Sequence, residues 1–379
     1  MDAHQQQPRE ITVRQASDKV CPEHPLIDIR KPHERVAGTP VGAVFMEAEE
    51  LLLKCAADER FARAGGSILC AEGVRSLKLV DDLQRRGISQ FSSVAGGMLA
   101  WLAAGLPTVQ PEDFSPGQAE RYARHLVMPQ VGLEGQKKLL DSRVLLAGLG
   151  GLNSPVAMYL AAAGVGTLGL LDDDRVERSN LQRQVIHGES SLELPKTESA
   201  AKRLADINPD TRLVLLNDRV SDVNAADIVR GWDVVVDGTD NFTARYALNE
   251  ACVQQGIPLV YGAVMRFQGQ VSVFDSSRDE QSPCFCCLMP ESPADGATPS
   301  CSEAGVRGVM PGIIGTLQAA EALNLLLGAG KTLTGQLLLV DTLTMDFRRM
   351  RVPRTACCPT CSRGAEGGSG AAGLRRAER

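Results

Sequence analysis

Two pairs of cysteines have the spacing of metal ligands. Cys284 and Cys287 form one C-x₂-C pattern, and Cys358 and Cys361 form a second, about seventy residues further along the chain. Four thiolates in this arrangement bind zinc tetrahedrally and leave no open position for a water molecule. The pattern therefore predicts a structural zinc site and not a catalytic one.

The other cysteines near these pairs leave the ligand assignment open. Cys286 and Cys357 are adjacent thiols that compete with the four for the metal. Cys21, Cys55 and Cys252 lie in sequences typical of ordinary buried or free cysteines.

A different chemistry is indicated at Cys70, in the sequence CAEGVRS, which follows an apolar segment and precedes a helical pattern. Backbone N–H groups of such a loop, the positive end of the helix and Arg75 favour a thiolate at Cys70, and then an anionic persulfide. A buried structural cysteine is the alternative. We interpret Cys70 as a sulfur-carrying nucleophile.

A glycine-rich turn in VLLAGLGGLNSPV predicts an anion site between a strand and a helix. Gly148, Gly150 and Gly151 allow backbone N–H groups to approach a phosphate, and Asp172 ends the next predicted strand, where a carboxylate can bind ribose hydroxyls. Asn153 replaces the third glycine of the dinucleotide fingerprint, so close packing of helix on strand is in question there. No GK[ST] follows, so this is not a Walker loop.

Charged residues beyond the turn distinguish ATP from a dinucleotide. Arg183 lies in the polar segment SNLQRQ, Lys196 begins a predicted helix, and the buried strand WDVVVDG ends at Asp237, with Asp240 close behind. Two cations and a strand-end aspartate suit a triphosphate with Mg²⁺, the aspartate holding the metal. A nicotinamide enzyme needs none of these residues. Ordinary solvated charges are the alternative for each one alone.

Seven motifs occur in order between Phe114 and Cys361: RYARHLVMPQVG, GLGGL, LLDDD, SNLQRQ, DGTDNF, FQGQVSVF and CSEAGV. Together they resemble the ThiF/MoeB/HesA adenylyltransferases, relatives of the ubiquitin-activating enzymes, and most of all the molybdopterin-synthase adenylyltransferases. The resemblance implies adenylation of the C-terminal Gly-Gly carboxylate of a small ubiquitin-fold sulfur carrier. It also implies that ATP and Mg²⁺ are bound by Gly151, Asp172, Ser179, Asn180, Arg183, Lys196, Asp240 and Asn241.

The same resemblance implies further roles. Arg124 would reach across a symmetric homodimer to the phosphates of the partner and, with Arg183 and Lys196, stabilise charge in the transition state. Cys301, in CSEAGV, would meet the activated carboxylate or the sulfur delivered to it, and as a hypothesis would resolve an acyl-disulfide. A surface-loop cysteine is the alternative for Cys301. Zinc at the two C-x₂-C pairs is likewise a property of the family.

The amino-terminal half resembles a single rhodanese domain over roughly residues 8–108. LIDIRKPHERVAGTPVGAV precedes the Cys70 loop and VAGGMLAWLAAGLP follows it. This resemblance implies that Cys70 carries sulfur as a persulfide. Asp28 and Arg30 match the D-x-R strand end of that family, which we interpret as part of the scaffold.

Both halves alternate short strands with helices, which predicts an α/β fold throughout. We expect a rhodanese-like domain over residues 1–110 and a Rossmann-like, ubiquitin-activating-type adenylating domain with a mixed sheet over 111–363. The segment AGLPTVQPEDFSPGQ reads as the linker, and residues 364–379 as a disordered tail.

Composition and charge indicate which classes of partner and which cellular compartment to expect. A net charge of −6 over 379 residues gives no general case for nucleic acid or a membrane surface as a partner. The amino terminus has no export signal, and the longest apolar run, Val156 to Leu171, is too short for a membrane span. Eleven cysteines without a leader indicate thiol or metal chemistry in the cytoplasm.

The motifs together predict a bifunctional enzyme. Its second domain forms a carrier acyl-adenylate from ATP, and its Cys70 persulfide, loaded by thiosulfate or a cysteine desulfurase, converts the adenylate to a thiocarboxylate. A carrier for thiamin synthesis, tRNA thiolation or a sulfur-containing metabolite is the alternative to a molybdopterin-synthase subunit. An NAD(P)-binding oxidoreductase and a non-catalytic redox or scaffold module are alternatives of other classes.

Overall fold

The computed structural model describes residues 9–31, 34–35, 38–109, 114–126, 128, 130–275, 281–291 and 305–362. The chain divides into two compact units, residues 1–136 and 137–379. The division lies beyond residue 110, where sequence analysis placed the domain boundary, so the assignment of one activity to each segment stays a prediction. Cys301 and residues 364–379 lie outside the described residues.

The first unit contains a parallel sheet, as the alternating pattern predicts. Its strands are β1 (Glu10–Ile11), β2 (Leu26–Asp28), β3 (Thr39–Pro40), β4 (Ala43–Phe45), β5 (Gly66–Leu69), β6 (Phe91–Val94) and β7 (Thr108–Val109). Five of them form a parallel sheet in the order β1–β6–β5–β2–β4, while β3 and β7 form a short antiparallel pair.

The first unit also contains seven helices within the described residues. They are α1 (Val13–Lys19), α2 (Ala48–Ala57), α3 (Glu59–Ala64), α4 (Val74–Arg85), α5 (Gly97–Ala103), α6 (Pro116–Arg121) and α7 (Ala123–Leu126). The helix predicted after Cys70 is α4, and its apolar face buries Leu79, Val80 and Leu83. It follows directly on β5, so the Cys70 loop lies at the carboxyl end of a buried parallel strand.

The second unit is built on one eight-stranded mixed sheet. Helix α8 (Gly132–Asp141) leads into its strands, which are β8 (Arg143–Ala147), β9 (Thr167–Leu171), β10 (Arg212–Leu216), β11 (Val234–Asp237), β12 (Leu259–Met265), β13 (Gln268–Phe274), β14 (Gln336–Asp341) and β15 (Asp346–Arg351). The order is β10–β9–β8–β11–β12–β13–β14–β15. The first five strands are parallel and the last three antiparallel, which confirms the predicted Rossmann-like mixed sheet.

Helices pack on both faces of this sheet over two separate apolar clusters. They are α9 (Asn153–Ala163), α10 (Lys196–Ile207), α11 (Ala225–Val229), α12 (Phe242–Gln255), α13 (Phe285–Leu288) and α14 (Val309–Leu327). Chain order reverses between β8 and β11, which lie side by side. In doubly wound sheets ligands bind at the carboxyl ends of the strands at such a switch point.

Helix α14 is long and apolar enough to cross a membrane by length and composition alone. Half of it is buried within the second unit, with Met310, Ile314 and Ala322 fully covered by the apolar cluster around β8 and α9. These contacts are those of a core helix of the sheet.

Candidate functional sites

The glycine turn of the second unit lies at the switch point of the sheet. Gly148 follows β8 with a φ of +81°, and a Cβ there would come within 3.0 Å of the Gly238 carbonyl oxygen after β11. A Cβ on Gly151 would lie 2.8 Å from Pro311 Cβ and 3.4 Å from the Arg183 carbonyl oxygen. Glycine is therefore required at both positions by backbone angle or close approach. The loops that carry the predicted site residues meet at this turn.

Asn153 closes the gap left by the missing third glycine. Its buried Nδ2 donates to the carbonyl oxygens of Ala147, at 3.0 Å, and Gly148, at 2.7 Å. The helix consequently begins tightly against the strand ends, so the doubt about packing at this position is corrected by the structure. Asparagine can replace the glycine of the fingerprint because its side-chain amide donates hydrogen bonds to the carbonyl groups that it packs against.

Asp172 and Lys196 form the charged centre of this site. Asp172 Oδ2 accepts a hydrogen bond from the Leu149 N–H at 2.6 Å, which ties the carboxylate to the glycine turn. Lys196 Nζ lies 3.7 Å from Asp172 Oδ1 and 2.6 Å from Asp174 Oδ2, and the lysine is only 5% exposed. Burial raises the pKa of Asp172, while Lys196 and the N–H groups of Leu149 and Asp174 act against that rise. The sequence pattern had no signal for the pairing with Asp174.

His187 is a site residue that the sequence analysis missed. Its Nε2 lies 3.1 Å from the Leu149 carbonyl oxygen and its Nδ1 lies 2.8 Å from Ser199 Oγ. Because a carbonyl only accepts, Nε2 carries the proton and Nδ1 accepts from the serine. Burial lowers the pKa of His187, and its bond to the Leu149 carbonyl holds the Leu149–Gly150 peptide, which adjoins the peptide whose N–H bonds to Asp172. A single histidine in a loop gives no sequence signal for this role.

The SNLQRQ segment lies against the turn through its backbone. Arg183 is half-buried, and its Nη1 donates to the Ser179 carbonyl oxygen at 3.1 Å. Ser179 is exposed, whereas the buried Asn180 accepts the N–H of Glu177 at 3.3 Å and caps a short turn of 3₁₀ helix. The side chains of Arg183, Ser179 and Asn180 thus all form hydrogen bonds within this segment, and their contact with a nucleotide stays a prediction.

The end of strand β11 changes the assignment of the predicted metal ligand. Asp237 is fully buried and accepts hydrogen bonds from Arg245 Nε at 2.8 Å and from Thr239 N and Oγ1 at 2.9 and 2.6 Å. Its carboxylate is already occupied by protein groups, so the expectation that this strand-end aspartate holds Mg²⁺ is corrected. Asp240, in the loop after β11, is exposed, so its carboxylate is accessible to a metal ion. Asn241 caps α12, accepting the Ala244 N–H at 2.9 Å.

The roles that the resemblance implies for Arg124 and Cys301 stay predictions. Arg124 is exposed on α7 of the first unit. Cys301 lies outside the described residues. The contact across a homodimer that the resemblance implies for Arg124 also stays a prediction.

The first unit holds Cys70 in a loop of hydrogen-bond donors. Cys70 Sγ lies 3.1 Å from the Gly73 N–H, 3.4 Å from the Ser76 N–H and 3.3 Å from Ser76 Oγ. Burial opposes ionisation of the thiol, but the bonds from Ser76 and from the backbone N–H groups of Glu72 and Gly73 outweigh it, so the pKa of Cys70 lies below its ordinary value. This is the environment of a reactive thiolate at a helix N-terminus.

Neighbouring glycines and an ion pair shape this loop. A Cβ on Gly97 would come within 2.3 Å of the Cys70 carbonyl oxygen, so the VAGGM segment packs on the backbone of the loop. The Arg75 guanidinium forms a bidentate ion pair with Glu34, with Nη1 and Oε2 2.9 Å apart. The hydrogen bonds to the sulfur therefore come from Ser76 and backbone N–H groups, while Arg75 interacts with Cys70 through charge.

Asp28 and Arg30 form the predicted scaffold next to this loop. They are 0% and 3% exposed, and Arg30 Nη2 lies 2.7 Å from Asp28 Oδ2. Arg30 Nη1 and Nη2 also donate to the carbonyl oxygens of Glu34, at 2.8 Å, and Gly38, at 2.9 Å. The ion pair thus holds the segment that brings Glu34 to Arg75.

Replacing Ser76 by alanine should make Cys70 less reactive at neutral pH. The change removes one bond that favours the thiolate, so the pKa of Cys70 rises toward its ordinary value and the alkylation profile moves to higher pH. The rate of carboxamidomethylation of Cys70 by iodoacetamide, followed by mass spectrometry between pH 5 and pH 10, measures the shift. Ser67→Ala is the matched control, since Ser67 is buried in β5 but bonds to His24 Nε2 at 3.1 Å. An unchanged profile for Ser76→Ala would contradict the hydrogen-bond account.

The four predicted zinc ligands come together in the second unit. Cys284 Sγ and Cys358 Sγ are 3.6 Å apart, as are Cys287 Sγ and Cys361 Sγ, and all four sulfurs lie within 4.8 Å of one another. The edge of a ZnS₄ tetrahedron with bonds of about 2.3 Å is about 3.8 Å, whereas a disulfide needs about 2.05 Å. Burial raises the pKa of Cys358 and of Cys361, so their thiolates require a cation. This Cys₄ cluster fits a metal ion such as zinc.

The two spare thiols are not among the four sulfurs that lie within 4.8 Å of one another, although Cys286 packs against the cluster and hydrogen-bonds with Cys284. Cys286 Sγ accepts a hydrogen bond from Thr360 Oγ1 at 3.2 Å, and Cys357 is exposed. The structure therefore resolves the competition that the sequence left open in favour of the two C-x₂-C pairs.

We expect purified protein to contain one zinc ion per chain that Cys358→Ser loses. Removing one of four thiolates should weaken zinc binding by more than about tenfold and lower the temperature of thermal unfolding. Elemental analysis by mass spectrometry and differential scanning fluorimetry, each before and after chelation, measure both effects. Cys357→Ser changes the exposed neighbour and should retain metal and stability. Equal metal content in both variants would show that the Cys₄ cluster does not bind the ion.

The second unit has a nucleotide-type glycine turn at the switch point of a doubly wound sheet, with a buried Asp–Lys pair beside it. Together with the Cys₄ cluster, these features are typical of a class of nucleotide-binding α/β proteins. Residues 122–360 match the ThiF family, and the chain belongs to that family. The residues around Cys70 lie outside this match, so the rhodanese identity of the first unit stays a prediction.

Two curated relatives share much of this sequence. The sulfur carrier protein adenylyltransferase of Thermus thermophilus is 48% identical over 246 residues, which cover 64% of this chain and 91% of that protein. The probable adenylyltransferase/sulfurtransferase MoeZ of Mycobacterium tuberculosis is 43% identical over 255 residues, which cover 67% of this chain and 65% of MoeZ. The chain thus spans nearly all of the first relative and just under two thirds of the second.

Solved structures agree on the fold. Escherichia coli MccB superposes with a TM-score of 0.57 at 18% identity, over 72% of this chain and 78% of MccB. Another structure of MccB, with a TM-score of 0.54 at 16% identity, is described as a complex with ATP. At these identities the likeness establishes a shared fold and nothing more.

Proposed function

We propose that the second unit adenylates the C-terminal Gly-Gly carboxylate of a ubiquitin-fold sulfur-carrier protein with ATP. The observation that carries this proposal is the buried Lys196 beside Asp172, tied through Leu149 to the glycine turn at the switch point. A dinucleotide oxidoreductase has no need of this cation. The relative named sulfur carrier protein adenylyltransferase, 48% identical, supports the same substrate class.

The first step requires alignment and charge stabilisation. The carrier carboxylate attacks the α-phosphorus of ATP and expels pyrophosphate, so negative charge grows on the phosphorus oxygens and on the leaving group. N–H groups of the glycine turn, Lys196 and Arg183 would stabilise this charge. Mg²⁺, held by Asp240, would neutralise the phosphates further. As the family implies, Arg124 of a homodimer partner would add a third cation.

The second step transfers sulfur from Cys70. The Cys70 thiolate attacks the sulfane sulfur of a donor and becomes a persulfide. Thiosulfate leaves as sulfite, and the persulfide of a cysteine desulfurase leaves as its cysteine thiolate. The terminal sulfur of that persulfide attacks the acyl carbon and expels AMP, which leaves an acyl-disulfide between carrier and enzyme. Cys301 then attacks the Cys70 sulfur, releasing the carrier thiocarboxylate and leaving a Cys70–Cys301 disulfide that an external thiol reduces. A normal thiocarboxylate yield from Cys301→Ala would remove that role. MoeZ, named an adenylyltransferase/sulfurtransferase, supports the pairing of activities.

The identity of the carrier protein determines the biosynthetic pathway in which the enzyme acts. A molybdopterin-synthase small subunit is the first candidate, and carriers for thiamin synthesis, tRNA thiolation or a sulfur-containing metabolite are the others. We also propose a cytoplasmic location, because the reactive thiol of Cys70 and the cysteines of the Cys₄ cluster, which form no disulfide, suit a reducing compartment.

The direct test is the intact mass of a Gly-Gly-ended carrier incubated with enzyme, Mg·ATP and thiosulfate under reducing conditions. We expect ATP–pyrophosphate exchange that depends on the carrier, and a mass increase equal to replacement of one oxygen by sulfur. Adenylation without sulfur transfer would limit the proposal to its first step. An enzyme that binds nicotinamide dinucleotide but not ATP would overturn it.

A further inference from the structure

Four side chains at intervals of four residues line one face of helix α12 and its N-cap: Asn241, Arg245, Asn249 and Val253. Residues spaced in this way lie above one another along a helix, here over about 18 Å. Asn241 ends the loop that follows β11, at the nucleotide site. Val253, at the other end of the face, packs against the Cys₄ cluster. One rigid helix face therefore connects the two sites.

Arg245 fixes the loop at the nucleotide end of this face. Its Nε donates to Asp237 Oδ2 at 2.8 Å, and its Nη2 donates to the Thr239 carbonyl oxygen at 2.8 Å. Asp237 Oδ1 in turn accepts from Thr239 N and Oγ1. Arg245 is 7% exposed and Asp237 is 0% exposed. This closed set of bonds determines the path of the chain into Asp240, one residue further on.

Aromatic rings connect Arg245 to the cysteine end. Its guanidinium carbon lies 5.0 Å from the ring centroid of Tyr261 and 5.9 Å from that of Phe285, and the two rings are 5.3 Å apart. Phe285 follows Cys284 directly in the chain, and its N–H donates to Asn249 Oδ1 at 2.7 Å. The segment that carries the first pair of metal ligands is thus held by the same helix face and the same cation–π cluster.

We propose that Arg245 is a positioning residue of the nucleotide site, and that α12 makes the geometry of Asp240 depend on the order of the Cys₄ cluster. Without the guanidinium, Asp237 Oδ2 and the Thr239 carbonyl oxygen lose the bonds that Arg245 donates, and the loop that presents Asp240 loses its fixed path. The inference rests on the proposed function, because it takes Asp240 as the ligand of the Mg²⁺ that accompanies ATP.

The test compares Arg245→Met, Arg245→Lys and Arg230→Met in the full chain. Arg230 is the matched control, since its exposed guanidinium pairs with Asp227 at 2.8 Å at the end of α11. Affinities for ATP with and without Mg²⁺ are measured by titration calorimetry. We expect Arg245→Met to weaken Mg·ATP binding by at least about tenfold and to affect ATP alone much less, as for other groups that orient a metal ligand. Arg245→Lys keeps the charge, so its affinity for Mg·ATP should lie between those of Arg245→Met and the wild type. Arg230→Met should bind Mg·ATP with the affinity of the wild type.

Hydrogen exchange provides a second readout that does not require activity. Protection of residues 237–241 should fall in Arg245→Met, and also in wild-type protein from which the Cys₄ metal has been removed by a chelator. The metal-removal experiment keeps the inference testable if Arg245→Met does not fold.

Two results would overturn the inference. One is wild-type Mg·ATP affinity in a folded Arg245→Met protein, and the other is unchanged protection of residues 237–241 after metal removal. If the wild type itself binds no ATP, the proposed function fails first. If the wild type binds ATP and the variant binds it equally well, only the role of Arg245 fails.

Discussion

Replacement of Cys70 by alanine is expected to abolish thiocarboxylate formation while leaving carrier adenylation intact. Sulfur transfer should fall at least about 10³-fold, because Cys70 is the group that carries the persulfide in the proposed mechanism. ATP–pyrophosphate exchange should stay within about twofold of the wild type, since attack of the carrier carboxylate needs no enzyme thiol. Both are read from one reaction, by intact mass of the carrier and by exchange of labelled pyrophosphate.

Cys55→Ala is the matched control for this variant. Cys55 is 5% exposed and lies in the same apolar cluster of the first unit as Cys70, but burial raises the pKa of its thiol. We expect it to transfer sulfur like the wild type. Thiocarboxylate formed at the normal rate by Cys70→Ala would show that sulfur reaches the carrier by another route and that the first unit has a different role.

The second large effect is expected from Lys196→Met. This change removes the buried cation beside the predicted phosphate site and should lower kcat/KM for pyrophosphate exchange about 10²- to 10³-fold. It also leaves Asp172 without the charge that opposes the effect of burial, so the pKa of Asp172 rises further. The acid limb of the pH–rate profile should therefore move to higher pH, because the ionised carboxylate is lost earlier as pH falls.

Lys202→Met controls for the loss of a lysine from the same helix. Lys202 lies exposed on α10, two turns from Lys196, and should retain full exchange activity. The temperature of thermal unfolding, measured on both variants, checks that the second unit is folded. Pyrophosphate exchange in Lys196→Met within about twofold of the wild type would remove Lys196 from the site.

Local pattern was enough to predict the secondary structure that carries both sites. Apolar runs such as GSILCAE and WDVVVDG are strands β5 and β11, and the amphipathic SLKLVDDLQRRG is most of α4. These elements are readable because each buries one strip of side chains whose period matches its own backbone. The C-x₂-C pairs are readable for a similar reason, since two ligands from one turn must be close in sequence.

Contacts between side chains on different elements could not be predicted from local sequence pattern. Arg245 satisfies Asp237, Glu34 pairs with Arg75, and His187 supports the glycine turn from 38 residues away. Each pair joins residues of common type on different elements, with no fixed spacing between them. The sequence therefore predicted Asp237 and Arg75 as free functional groups, whereas the fold shows both engaged by other side chains.

By itself, the sequence determined the α/β class, the order of the strands along the chain, the glycine turn and the four cysteines of the cluster, because these depend on neighbours in the chain. Only the tertiary structure decided that Asn153 could take the place of a glycine, that Cys286 lies outside the Cys₄ cluster, and that Asp240 and not Asp237 is open to a ligand. Those outcomes depend on which groups satisfy one another once buried, and a buried polar group takes whichever partner the packing of distant elements brings within hydrogen-bond reach.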